Sequence, residues 1–121
     1  MLDDCNVMLV EDEALLALDL SLTLEDAGAR VAGPFATVES ALSACEDVDC
    51  AVLDVDLWDQ KVYPVADRLM ASRKPFLFHT GSGDRETLMR RYGRDIRMVE
   101  KPARRAEIVA EVASLIAKAC R

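Results

Sequence analysis

Apolar residues occur along this chain in short, unbroken runs that end in acidic or polar residues. Residues 7–10, 50–53 and 75–78 form three such runs, and residues 96–99 form a fourth that includes one arginine. Runs of this length without alternation are typical of strands buried on both faces, as in parallel sheets. The pattern therefore predicts four buried strands, and residues 31–34 add a short strand closed by Gly-Pro.

The first segment between strands, residues 13–27, carries two conflicting signals. Its leucines alternate with small or polar residues, which is a strand period. Its length, its Ala, Leu and Glu content and the stop signal at Gly28 favour a helix instead. The inner face of that helix is predicted to contain Leu16, Leu20, Leu24 and Ala27.

Four more helices are predicted farther along the chain. Thr37 is the expected cap of the second helix, Asp84 is the expected cap of the fourth, which Gly93 ends, and the fifth covers residues 106–119. The third helix is expected to bury Val62, Val65, Ala66, Leu69 and Met70. Strand and helix thus alternate five times, which predicts an α/β fold with a parallel sheet and helices on both faces.

Composition fits a single domain that spans residues 1–121. Half of the residues (51%) are hydrophobic, and no apolar run is long enough to cross a membrane, so we expect a cytoplasmic protein. The net charge of −7, without any basic block, argues against nucleic acid as a partner. The four cysteines lack metal-ligand spacing and are predicted to be reduced, structural thiols.

Polar residues with distinct chemistry follow the predicted strands. Glu11 and Asp12 follow the first run, Asp54 follows the central run, Thr80 follows the third and Lys101 follows the fourth. In open α/β sheets the ligand crevice lies beyond the carboxyl ends of the strands. We therefore expect three carboxylates, a hydroxyl and an ammonium to meet at one edge of the sheet.

Such a group of side chains predicts a magnesium site that performs phosphoryl transfer. Three close carboxylates repel one another unless a cation lies among them, and Mg²⁺ prefers carboxylate oxygens, waters and phosphate. The backbone carbonyl of Asp56 is a further candidate ligand. Lys101 and Thr80 could then contact phosphate oxygens, and Asp54 would be the nucleophile.

These residues together resemble the receiver domains of bacterial two-component response regulators, from about Val7 to Ile116. The motifs that carry the resemblance are the acidic pair, the central aspartate, the strand-end threonine and the dipeptide Lys101-Pro102, whose peptide bond is often cis in that family. The resemblance implies a flavodoxin-like (βα)5 fold with strand order 2-1-3-4-5.

Specific roles follow from this resemblance. Asp54 would accept a phosphoryl group, Asp12 would bind Mg²⁺ directly and Glu11 through water, and Lys101 would contact the phosphoryl group. Thr80 would be the switch hydroxyl. The implied partners are a histidine kinase or histidine phosphotransfer protein and an unknown downstream protein. Self-phosphorylation and hydrolysis of its own acyl phosphate would be the only chemistry of the domain.

Two positions depart from the usual receiver pattern. The position three residues before the lysine, usually Tyr or Phe, is Met98, and the loop after Asp54 lacks the usual Pro and Gly. The segment from Phe78 to Gly83, with Tyr63-Pro64 upstream, is more similar to single-domain alphaproteobacterial receivers with a Phe-Ala-Thr-Gly motif. We therefore expect the 81–83 loop and the following helix to carry the signal, and Asp56 and Ser82 to tune the phosphoryl lifetime.

Two alternatives remain open at this point. Leu53-Asp54-Val55-Asp56 also resembles the signature of haloacid-dehalogenase-type phosphohydrolases, in which the second aspartate is the general acid-base. That signature normally follows the first strand of its fold, and 121 residues leave little room for a cap domain. The chain could also be a receiver excised from a hybrid histidine kinase or a longer regulator.

Overall fold

The computed structural model describes residues 1–81 and 83–119. Five parallel strands form one sheet in the order β2-β1-β3-β4-β5, which confirms the predicted topology. The strands are β1 (Asn6–Val10), β2 (Arg30–Phe35), β3 (Cys50–Leu53), β4 (Phe76–Thr80) and β5 (Arg97–Glu100). The central strands β1, β3 and β4 are almost entirely buried because helices cover both of their faces.

Five helices alternate with these strands, as the sequence predicts. They are α1 (Ala14–Asp26), α2 (Val38–Leu42), α3 (Tyr63–Ala71), α4 (Arg85–Tyr92) and α5 (Arg105–Ala119). Thr37 caps α2 as expected, since its side chain accepts a hydrogen bond from the backbone N–H of Ser40. None of the helices in the described ranges is long and apolar enough to cross a membrane.

The hydrophobic core has two layers, one on each face of the sheet. Alternate strand residues such as Met8 and Phe78 point toward α2, α3 and α4, while Leu9 and Leu77 point toward α1 and α5. In α1, Leu20 and Leu24 are buried and Leu16 packs against the same layer, so the helix interpretation of the alternating leucines is confirmed. The intervening leucines of α1 are exposed: Leu15, Leu18 and Leu22.

One residue predicted to be in the core lies at the surface. Met70 is 51% exposed, whereas Val65 and Leu69 of the same helix are fully buried. Each helical residue is rotated by about 100° from the one before it, so the residue after Leu69 leaves the buried stripe. The apolar stripe of α3 is therefore narrower than the sequence suggested.

The cysteine thiols at Cys45 and Cys50 are buried and free. Burial raises the pKa of the Cys50 thiol to about 12, so this thiol stays protonated and inert at neutral pH. Cys120 lies outside the described residues.

Candidate functional site

Five polar residues lie at the carboxyl ends of four neighbouring strands. Glu11 and Asp12 directly follow β1, Asp54 follows β3, Thr80 is the last residue of β4 and Lys101 follows β5. Because all these strands are parallel, their carboxyl ends share one edge of the sheet. The structure therefore places every one of the polar strand-end residues at the same edge.

Backbone hydrogen bonds continue past the strand ends and fix these positions. The N–H of Asp54 donates to the carbonyl of Val10 at 2.9 Å, and the N–H of Lys101 donates to the carbonyl of Thr80 at 2.8 Å. The N–H of Glu11 donates to the carbonyl of Phe35 at 2.9 Å. The hydrogen bonding of the sheet thus continues into the backbone of the site.

The carboxylates of Glu11, Asp12 and Asp54 form one cluster. A ligand oxygen from each lies within 4.8 Å of the other two. The ammonium Nζ of Lys101 lies 3.2 Å from Oε1 of Glu11 and 3.3 Å from Oδ1 of Asp54, so one cation bridges two of the acids. Three carboxylates and one ammonium leave an excess of negative charge in a largely buried site.

Burial and this charge excess perturb the acid-base properties of the site. Burial, opposed by a hydrogen bond from the backbone of Glu13 and reinforced by Asp54, raises the pKa of Glu11 to about 7. For Lys101, burial alone would lower the pKa, but the carboxylates of Asp54 and Glu11 outweigh it and raise the pKa above its usual value. The lysine therefore remains charged at neutral pH.

The cluster has the donor atoms that a hard divalent cation requires. Oε1 of Glu11 is buried and accepts no hydrogen bond from the described residues, although the Lys101 ammonium is close to it. The other oxygen, Oε2, accepts from the N–H of Glu13 at 3.1 Å, which holds the carboxylate in place. Glu11, Asp12 and Asp54 could therefore bind Mg²⁺ through carboxylate oxygens. One of these oxygens, Oε1 of Glu11, is already removed from water.

Asp56 lies in the loop after β3 and is oriented differently from the cluster. It forms an isolated antiparallel bridge with Lys61, and its exposed carboxylate pairs with the Lys61 ammonium. The side chain of Asp56 is therefore engaged outside the cluster. Its backbone carbonyl remains a predicted metal ligand.

The sequence did not predict the partner of the Thr80 hydroxyl. Thr80 is buried, and its Oγ1 donates to Oδ2 of Asp84 at 2.5 Å. Asp84 does precede α4, but its side chain makes no capping hydrogen bond, so the predicted capping role is wrong. The clue in the sequence is the spacing, because an acid four residues after a strand-end threonine, across a glycine-containing loop, can fold back onto the hydroxyl.

Other residues near the site have mainly structural surroundings. His79 is buried in β4, and burial lowers its pKa to about 4, so it is neutral at pH 7. Trp58 is 83% exposed in the β3–α3 loop, which is tied to α2 because Asp59 accepts from the N–H of Val38. Met98 packs partly buried against the core. Ser82, for which a role in phosphoryl lifetime was predicted, lies outside the described residues.

The peptide bond between Lys101 and Pro102 is cis, as the receiver resemblance implied. Lys101 follows β5 directly, so this proline lies at the start of the loop that leads to α5.

Comparisons with known proteins give matches among solved structures. No protein-family model matches the sequence, and no curated protein matches it significantly. A response regulator receiver protein from Sinorhizobium medicae is 24% identical with a TM-score of 0.86, and the match covers 98% of this chain and 99% of that one. A sensor histidine kinase receiver domain from Pseudomonas aeruginosa, with a magnesium ion coordinated in its active-site cleft, is 24% identical with a TM-score of 0.81, over 94% and 98% of the two chains.

A third structure is more similar in sequence. The signal receiver domain of a modulated diguanylate cyclase from Desulfovibrio desulfuricans is 30% identical, has a TM-score of 0.84, and the match covers 97% of each chain. This level of identity, over the same fold and nearly the full length of both chains, exceeds a likeness of architecture alone. The chain therefore belongs to the receiver domain family of two-component signalling proteins.

Proposed function

We propose that this domain is a phosphorylation-dependent signalling switch that accepts a phosphoryl group on Asp54 in the presence of Mg²⁺. The observation that carries the proposal is the convergence of three carboxylates within 4.8 Å, with the Lys101 ammonium in contact with two of them. A receiver domain that binds magnesium in its cleft is among the similar structures. The phosphodonor would be a phosphohistidine on a histidine kinase or phosphotransfer protein.

Asp54, Lys101 and the metal-binding residues have different tasks in this reaction. A carboxylate oxygen of Asp54 attacks phosphorus, the bond from phosphorus to the donor imidazole breaks, and the imidazole leaves. Lys101 offers a fixed positive charge to the phosphoryl oxygens. Mg²⁺, held by Glu11, Asp12, Asp54 and the backbone carbonyl of Asp56, would neutralise charge on the transferred group. Water later attacks phosphorus, releases inorganic phosphate and restores the Asp54 carboxylate.

The haloacid-dehalogenase alternative is not favoured. Asp54 follows β3 at the middle of the sheet, whereas the motif of that enzyme class follows the first strand. The general acid-base of that class would be Asp56, but the Asp56 carboxylate is exposed and paired with Lys61. The remaining alternative, a receiver cut from a longer regulator, uses the same site and the same chemistry.

We expect the protein to form one phosphoryl adduct when it is incubated with acetyl phosphate and Mg²⁺. Acetyl phosphate is a small acyl phosphate, and its transfer needs only the site itself and not a partner protein. Intact mass spectrometry would record the adduct, and excess EDTA should prevent it because the cation offsets the repulsion among the carboxylates. An adduct that forms equally well in EDTA would contradict a metal-dependent site.

Mg²⁺ affinity is expected to rise with pH through about 7. Without the cation the pKa of Glu11 is raised from 4.5 to about 7, so protons compete with Mg²⁺ for this carboxylate below neutrality. Between about pH 6 and about pH 8 the ionised fraction of such a group rises roughly tenfold, and the association constant should follow it. Isothermal titration with MgCl₂ at both pH values measures this.

The control for this titration is Glu11→Gln, which binds Mg²⁺ more weakly but should lose most of the pH dependence. Equal affinities of the unmodified protein at the two pH values would show that Glu11 does not contribute to cation binding.

A further inference from the structure

The Thr80 hydroxyl already donates a hydrogen bond to another side chain. Oγ1 of Thr80 donates to Oδ2 of Asp84 at 2.5 Å, a short bond to a charged acceptor, and Thr80 is only 4% exposed. Bonds of this kind are roughly twice as strong as those between neutral groups. A hydroxyl has one proton to donate. Thr80 therefore cannot donate to Asp84 and to a phosphoryl group on Asp54 at the same time.

Asp84 itself has a second possible partner. It is the residue before α4, a position where an aspartate side chain commonly accepts hydrogen bonds from the second or third N–H of the helix. In this structure it makes no such bond, and its backbone is helical, with φ −97° and ψ −11°, where a capping residue is usually extended. The Asp84 carboxylate is held by Thr80 instead of by the helix that it precedes.

The loop between the two residues allows their separation. An added Cβ at Gly81 or at Gly83 would meet no atom within 4 Å, so there is free space on the side-chain side of both glycines. Glycine also permits a wide range of backbone angles. A change of ψ at Asp84 therefore meets little steric resistance from the described part of the loop.

We propose that Asp84 is a positioning residue that holds Thr80 in the unphosphorylated protein and caps α4 in the phosphorylated one. This inference rests on the proposed function of Asp54. Phosphoryl oxygens are strong, doubly charged acceptors that draw the Thr80 hydroxyl away from Asp84. The released carboxylate turns to the N–H groups of Glu86 and Thr87, and the start of α4 changes conformation.

This arrangement explains how the chain could signal without an aromatic residue at position 98. Met98, Thr80 and Arg85 line a cavity of about 220 Å³ beside the start of α4. A methionine has no hydroxyl or ring that could follow Thr80 inward. The hydrogen bond from Thr80 to Asp84 instead links the site directly to the first turn of α4.

Asp84→Asn is the informative variant because it weakens the hydrogen bond from Thr80 but keeps a side chain that can cap α4. Asparagine caps helices about as well as aspartate, but as a neutral group it accepts the Thr80 hydrogen bond more weakly. At a fixed acetyl phosphate concentration, the ratio of phosphorylated to unphosphorylated protein should rise about fivefold. In unphosphorylated Asp84→Asn, the Thr87 amide resonance should move part of the way toward its position in the phosphorylated unmodified protein.

The matched control is Glu86→Gln, which removes one negative charge from the same turn of α4. Glu86 is exposed, and its surface ion pair with Arg90 contributes little to stability, so this variant reports mainly the effect of the lost charge. In a Thr80→Ala background, Asp84→Asn should have no larger effect than Glu86→Gln, because the bond under test is already absent. Asp84→Ala, which cannot cap, should leave the Thr87 resonance unmoved by phosphorylation.

The outcomes separate this inference from the proposed function. If the unmodified protein forms no adduct on Asp54, both are overturned. If the adduct forms normally but Asp84→Asn behaves like Glu86→Gln, or keeps its full effect without Thr80, the role of Asp84 alone is overturned.

Discussion

Asp54→Asn is expected to abolish the phosphoryl adduct. The amide of asparagine has nearly the same size and shape as the carboxylate, but its oxygen is not a nucleophile at neutral pH. Asp54 is only 8% exposed, so a variant of the same shape is also the least disruptive one at this position. Intact mass after incubation with acetyl phosphate and Mg²⁺ should show only the unmodified mass.

The folding of this variant should be preserved. Burial is the main cause of the raised pKa of Glu11, and the neighbouring Asp54 carboxylate adds to it through a hydrogen bond and through like-charge repulsion, so removal of the Asp54 charge lowers the repulsion within the cluster. A thermal melt at or above that of the unmodified protein would establish that a lost adduct reflects lost chemistry.

Asp56→Asn provides the comparison that separates the receiver from a hydrolase. It leaves the backbone carbonyl in place and removes only a carboxylate that pairs with Lys61, so the adduct should still form. In a haloacid-dehalogenase-type enzyme the unmodified protein would turn over a small phosphate ester, and the same change would abolish that turnover because it removes the general acid-base. An adduct that survives Asp54→Asn would place the phosphorylated residue elsewhere.

Lys101→Met is expected to slow adduct formation about 100-fold, as is typical when one group that stabilises developing charge is removed. The Lys101 ammonium lies within 3.3 Å of both Glu11 and Asp54, where it can meet the phosphoryl oxygens as they approach. Methionine keeps most of the length of the side chain but has no charge. The rate, followed by intact mass at saturating Mg²⁺, measures the loss.

The matched control for Lys101 is Lys74→Met, which removes a lysine before β4 at the opposite edge of the sheet. It should leave the rate unchanged. A Lys101→Met rate within a few-fold of the Lys74→Met rate would mean that the lysine contributes to the electrostatics of the cluster and not to transfer.

Local sequence patterns determined most of the architecture. The unbroken apolar runs predicted the strands β1, β3 and β4, because a strand covered on both faces needs hydrophobic residues at consecutive positions. The positions of Glu11, Asp12 and Asp54 then followed, since a residue directly after a parallel strand must lie at the ligand edge of the sheet. The strand order, by contrast, came from the family resemblance and not from the patterns.

Interactions between distant side chains could not be predicted in this way. The sequence placed Lys101 at the site, but only the tertiary structure puts its ammonium in contact with both Glu11 and Asp54. It also makes Glu11 so poorly solvated that its pKa reaches about 7. The contacts of Lys101 and the pKa of Glu11 depend on burial and on charged residues that are far apart in the chain. A local sequence pattern contains no information about either.

The acceptor of the Thr80 hydroxyl shows where prediction from sequence ends and where the tertiary structure is needed. By itself the sequence determined that a hydroxyl ends β4 and that an acid precedes α4. The acid could cap its helix or accept from the hydroxyl, and both choices satisfy local rules. Only the tertiary structure selected the bond between Thr80 and Asp84, because that choice depends on how the loop brings two side chains together in space.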